Sequence, residues 1–93
     1  MHYQVQLHRV VAKTISRMNP QERSRIVRAL HVLETDPHKP RTGADIIRLK
    51  GTKGREDLFR LRIGDHRAIY AVQEHTVYVT DLFRRGRGYS GSS

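Results

Sequence analysis

The chain contains no cysteine, so neither a disulfide nor a thiolate metal site is open to it. No apolar run approaches the roughly 20 residues that cross a bilayer, and Met1-His2-Tyr3-Gln4 offers neither a basic lead nor an apolar signal core. No membrane association is expected, and the cytoplasm is the expected compartment. Acidic residues are scarce: 9 Asp plus Glu stand against 18 Lys plus Arg, a net charge of +9. The imbalance runs through both halves of the chain, which makes a basic globule rather than a basic tail, and it implies a polyanionic partner, either nucleic acid or an acidic protein. Arginine outnumbers lysine, which favours forked recognition of phosphate.

Several chemistries lack their residues. Gly51-Thr52-Lys53-Gly54 has glycines and a lysine but not the full spacing of a phosphate-cradling loop, and it does not join a strand to a helix. His2, His8, His31, His38, His66 and His75 show no ligand spacing and have no cysteine or paired carboxylate beside them, so no metal and no cofactor is expected. Ser16 and Ser24 fall on helix surfaces, which gives no support to a nucleophilic triad. No two carboxylates are placed for general acid-base work.

What is present is a chain of 93 residues, enough for one modest core. Tyr3, Val5 and Leu7 alternate with glutamines as a short strand. Val11, Ile15 and Met18 then follow helical spacing. The pattern halts at Asn19-Pro20, where Asn19 can cap, Pro20 suits the first helical position and Glu22 stands at capping-box distance. Ile26, Val27, Leu30 and Leu33 make the apolar stripe of a second helix, with Arg23, Arg25 and Arg28 largely off it. That helix should stop near Thr35, because Asp36-Pro37 and Lys39-Pro40 forbid its continuation. Residues 36 to 45 read as a loop, Ile46 to Leu49 as a short strand, and Thr52 to Asp57 as a polar connector.

Phe59 to Tyr70 alternates strictly and turns back at Gly64-Asp65, a two-residue connection suited to a type II′ or I′ hairpin. In that register Ile63 faces His66 and Arg62 faces Arg67. Phe59, Leu61, Ile63, Ala68 and Tyr70 share the core side, and Arg60, Arg62 and Arg67 crowd the other. Like charges directly across a strand pair cost on the order of 0.2 to 1 kcal/mol each, and a fold that accepts the cost is suited to holding a phosphate there; a solvated face balanced by Glu56, Asp57 and Asp65 is the plain alternative. His66 on the apolar side reads first as a packed histidine. A turn at Glu74-His75 sets Thr76 opposite Gln73 and Leu82 opposite Arg67, which delivers Arg84 and Arg85 beside the Gly64-Asp65 end. The order is β-α-α-β-β-β-β, an α+β two-layer domain with a mostly antiparallel sheet under a helical hairpin. It is expected over residues 1 to 89, with 90 to 93 a frayed tail.

The strand and helical pair, then Leu49-Lys50-Gly51, then Leu58 through Tyr70, and finally Arg84-Arg85-Gly86-Arg87-Gly88-Tyr89 together resemble the RelE/ParE superfamily of toxin-antitoxin toxins, most closely its archaeal RelE branch. The resemblance covers nearly the whole chain. It implies a metal-independent, ribosome-dependent endoribonuclease that cleaves messenger RNA in the decoding site by attack of a ribose 2′-hydroxyl on the adjacent phosphodiester. Under it, Arg60 and Arg62 contact phosphates, Arg67 falls at the transition-state arginine, Arg85 at the arginine near the scissile group, and Tyr89 at the tyrosine that stacks on a base. Lys50, Lys53, Arg55, Arg84 and Arg87 complete the expected RNA-binding set. It also implies a cognate RelB-like antitoxin, in a heterodimer or heterotetramer. Two departures stand out: some members carry lysine where this chain has Arg60 or Arg62, and Arg84 replaces the usual histidine of the tail motif. Arginine is effectively always protonated and a poor general base, so electrostatics and orientation are expected to carry the chemistry. Three other readings share the scaffold: a ParE-type gyrase inhibitor without nuclease chemistry, a basic RNA-binding or regulatory module, and an inactive relic.

Overall fold

A computed structural model describes residues 2–49 and 58–86. The first strand, β1 (Gln4–Leu7), leads into α1 (Arg9–Ser16) and α2 (Pro20–His31), and α2 tightens into a 3-10 turn at Val32–Glu34. Then follow β2 (Asp45–Leu49), β3 (Leu58–Ile63), β4 (His66–Gln73) and β5 (Thr76–Arg84). The five strands form one sheet in the order β1-β5-β4-β3-β2. Only the β1–β5 pair is parallel; the other three pairs are antiparallel. This is the expected α+β architecture with β1 placed at an edge. Among the described residues no helix is long and apolar enough to cross a membrane.

Local chemistry sets the helix ends where the sequence places them. Asn19 Oδ1 accepts from the Glu22 N–H at 2.8 Å, and Pro20 opens α2, satisfying the capping logic of a helix N-terminus. Arg23 reaches back to the C-terminal end of α1, donating through Nη2 to the Ser16 and Met18 carbonyls at 3.3 and 2.9 Å and through Nε to Ile15 O at 3.4 Å. One arginine thereby supplies donors to the Ser16 and Met18 carbonyls at and beyond the end of α1 and a further donor to Ile15 O, which also accepts from the Met18 N–H. Ile26, Leu30 and Leu33 are buried as expected. Val27 departs from the expected stripe: it is 40% exposed, because it sits one position round the helix from Ile26.

The core lies between the helices and one sheet face. Val11, Ile15, Ile26 and Leu30 pack against a layer that includes Ile46, Phe59, Leu61, Ile63, Tyr70, Val77, Val79 and Leu82. The β3–β4 hairpin has the expected register, with Ile63 opposite His66 and Arg62 opposite Arg67. Gly64 has φ +59 while Asp65 is not left-handed, the signature of a first central residue in a II′-type turn. The β4–β5 register starts as expected, Gln73 opposite Thr76, but does not stay so. Tyr70 pairs with Val79 and Ile69 with Asp81, leaving Thr80 as an extra residue, its Oγ1 donating to Ile69 O at 3.4 Å. This bulge sets Phe83, not Leu82, opposite Arg67 and returns Leu82 to the core.

Tyr70 is the largest of the fully buried side chains, and its hydroxyl donates to the buried Pro37 carbonyl at 2.7 Å. Burial holds its phenol well above the usual range. Tyr70→Phe should lower the unfolding free energy at neutral pH by about 1–3 kcal/mol, because a buried carbonyl loses its donor. A folded-state pKa above the unfolded value of about 10 gives stability that is complete below pH 10 and declines above it. Alkaline denaturation curves of the wild type should show this decline, and those of the Phe variant should lack that component. The two hairpin turns make a paired prediction. Gly64→Ala should destabilise by about 1–2 kcal/mol through its positive φ, whereas Glu74, a non-glycine residue at φ +56, should gain up to about 1 kcal/mol on Glu74→Gly, as read from denaturant midpoints.

Candidate functional site

Burial of Phe59, Leu61 and Ile63 on the helix side leaves Arg60 and Arg62 no choice but the opposite face of β3. The hairpin register then brings Arg67 directly across from Arg62. Arg67 bends back over its own turn: Nη1 donates to Gly64 O at 3.2 Å and to His66 O at 3.1 Å. These bonds fix its guanidinium at the hairpin tip. Its proton affinity is lowered first by desolvation and then by the charges of Arg62, Arg60 and Arg85, with Asp45 opposing. It remains a cation at any physiological pH.

Arg85 joins the group through the backbone. Its N–H donates to the Asp65 carbonyl at 2.6 Å, which lashes the end of β5 to the β3–β4 turn. Arg84, expected in the same patch, pairs instead with His66, a residue of the helix-facing side, and so does not share the face of the other three. Lys50, Lys53, Arg55, Arg87 and Tyr89, like the tail from 90 to 93, lie outside the described residues. His66 is packed, 7% exposed, with Nε2 4.0 Å from the Glu22 carboxylate, turned away from the arginines.

Two residues near the patch escape a reading of the sequence. Asp45, expected in a loop, opens β2 opposite Arg62, with Oδ1 3.4 Å from Arg60 Nη2 and Oδ2 3.9 Å from Arg62 Nη1. Only the β2–β3 register reveals it, and the connector between those strands hides that register. Arg25 of α2 comes to the hairpin tip from the other side: its Nη1 lies 3.1 Å from the position a Cβ would take at Gly64. Its position one helical turn after Glu22 was the available signal, since both reach the same end of the hairpin.

The arrangement gathers Arg60, Arg62, Arg67 and Arg85 with one carboxylate, a surface suited to a phosphodiester and to the charge that grows on it during attack. It is also electrostatically strained. Arg62→Gln removes the charge opposite Arg67 at the cost of an ion pair that is 3.9 Å long and half exposed, worth little on its own. Thermal unfolding at low ionic strength should therefore show a gain of about 0.2–1 kcal/mol. The gain should shrink in 1 M salt, where the Debye length is about 3 Å.

A family model described as ParE toxin of type II toxin-antitoxin system, parDE, matches residues 4–89. The chain is 29% identical over 91 residues to a protein of Methanocaldococcus jannaschii named as the toxin RelE1, covering 96% of this chain and 97% of that one. Among solved structures, the archaeal RelE–RelB complex from Pyrococcus horikoshii OT3 contains a chain 36% identical, with a TM-score of 0.78 over 95% of this chain and 100% of that one. The RelBE2 toxin-antitoxin complex from Mycobacterium tuberculosis shares the fold at 19% identity, with a TM-score of 0.66 over 91% of this chain and 100% of that one. The strand order, the arginine-bearing hairpin and these matches together place this chain in the RelE/ParE family of type II toxin-antitoxin toxins.

Proposed function

We propose that this toxin is a ribosome-dependent endoribonuclease that inhibits translation by cleaving messenger RNA in the ribosomal A site. The observation that carries the reading is the convergence of Arg60, Arg62, Arg67 and Arg85 at one hairpin, with the Arg67 charge pressed by the other three. When a 2′-hydroxyl attacks the neighbouring phosphorus, the phosphorane gains negative charge, and guanidiniums already in place stabilise that gain more than they stabilise the ground state. Arg67, tied to Gly64 O and His66 O, is the stabiliser of that charge. Arg60 and Arg62 hold the flanking phosphates, and Arg85 lies near the scissile group. Tyr89 stacks on a base and helps to orient the nucleophile, with Lys50, Lys53, Arg55 and Arg87 as further phosphate contacts. None of these arginines is a general base, so the rate comes from orientation and electrostatics, with the decoding site fixing the RNA.

The partner we propose is a RelB-like antitoxin in a heterodimer or heterotetramer in the cytoplasm. The Pyrococcus and Mycobacterium relatives are complexes of this kind, and a chain of net charge +9 suits an acidic segment. A second reading, poisoning of DNA gyrase, draws support from the ParE description of the matching family model.

The test is expression from a tightly repressed promoter, wild type beside Arg85→Ala, with the 5′ ends of cellular messages mapped. Cuts inside translated frames, absent when initiation is blocked and reduced on the order of 10²-fold in the variant, are expected. Growth arrest with intact messages and gyrase-linked DNA breaks would establish the second reading in its place.

A further inference from the structure

Asp45 is the one described residue whose carboxylate is ion-paired to the arginine face, and it touches two guanidiniums at once: Oδ1 at 3.4 Å from Arg60 Nη2, Oδ2 at 3.9 Å from Arg62 Nη1. A carboxylate seated between two forks presents the charge and oxygen geometry that the same forks seek in a phosphodiester. Its fit is loose, since a well-made charged hydrogen bond of this type measures about 2.7–2.9 Å. Arg60 shows the same slack from its own side. Its Nε is sealed from solvent and has no hydrogen-bond partner, so the fork is only partly used. Asp45 stands on an edge strand and is 53% exposed, free to turn to water at little cost.

Resting on the RNA-cleavage reading above, we propose that Asp45 is an internal counter-anion that occupies the phosphate position between Arg60 and Arg62 and is displaced when RNA binds. It is a positioning residue, acting through the two arginines. In the RNA-free toxin it offsets their mutual repulsion and that of Arg67, whose proton affinity it supports. On binding, a phosphate takes over both forks. Every anion that enters must compete with it, so isolated phosphates are held weakly, and a strand that presents several phosphates together is favoured.

The experiment compares wild type, Asp45→Asn, Asp45→Glu and Asp81→Asn. Asp81, on β5 opposite Ile69, controls for the loss of one negative charge. Binding of a labelled short single-stranded RNA is read by fluorescence anisotropy across a salt series, and binding of inorganic tripolyphosphate by calorimetry. Asp45→Asn should tighten both ligands several-fold beyond Asp81→Asn and steepen the salt dependence of RNA binding by up to about 0.7 in log-log slope, the equivalent of one more phosphate contact. Asp45→Glu should stay near wild type, which a merely structural role for the residue would not require. Asp45→Thr, with a strong strand preference, repeats the charge removal if asparagine unsettles the edge. Equal affinities for Asp45→Asn and Asp81→Asn, weaker binding in Asp45→Asn, or binding of neither ligand by wild type and variant overturns the inference. Tripolyphosphate binding that gains on Asp45→Asn, with messages left uncut on ribosomes, upholds it while removing the nuclease reading. RNA cleavage on ribosomes with binding indifferent to Asp45 does the reverse.

Discussion

Hiding Phe59, Leu61 and Ile63 beneath the helices obliges Arg60 and Arg62 to share the opposite face of β3, and the two-residue turn at Gly64 fixes Arg67 across from them. The apolar side of one short strand thus decides where the charge goes. Each buried aliphatic or aromatic side chain contributes about 1.5–3 kcal/mol, whereas each like-charge contact costs a fraction of a kcal/mol. The core wins that contest easily, so a concentrated cationic face is affordable on so small a protein. A slip of one residue would exchange the two faces and bury the arginines, which is why the register is so firmly held.

The helices serve the same hairpin. Arg23 closes the end of α1 and so fixes the angle of the helical pair. On the same helix, α2, Glu22 stands 4.0 Å from His66 and Arg25 reaches Gly64. The basic residues of α2 therefore divide into roles: Arg23 is structural, and Arg25 adds its charge to the hairpin tip that Arg67 and Arg85 share. On the other face of the sheet a different chemistry operates. Tyr70 donates to Pro37 O and stacks on Phe59 with ring centroids 5.6 Å apart, and His38 meets Phe59 edge-on at 5.3 Å. The loop after α2 is thus pinned by aromatic contacts on the core side of the sheet, across the strands from the charged face.

Much of this was legible in the sequence because it depends on nearest neighbours. The Asn19-Pro20 cap, the stop before Asp36-Pro37, the hairpin at Gly64-Asp65 and the arginine face follow from periodicity and turn chemistry over a few residues. What was hidden depends on contacts between distant segments. The parallel docking of β1 on β5 leaves no local mark. Asp45 reads as loop until the β2–β3 pairing is known. Val27 looks like core until the rotation of α2 is fixed. The β5 bulge did leave a trace: Val77 and Val79 alternate with period two, then the next buried residue, Leu82, comes three later, a break in phase that a regular strand cannot make.

That break has a functional consequence. In an unbroken ladder the positions facing Arg67 and its neighbours would be Leu82 and Arg84, and a leucine would leave the core for the charged face. With Thr80 inserted, Leu82 returns to Ala68, Phe83 takes the place opposite Arg67, and Arg84 passes to the His66 side. Arg85 is then the tail residue whose charge acts on Arg67, and the Asp65 carbonyl holds its backbone in place. Two adjacent arginines offer the same chemistry, and a single extra residue five positions before Arg85 selects between them. The identity of the arginine that completes the patch is therefore set by the phase of the strand, and the core, through Leu82, sets the phase.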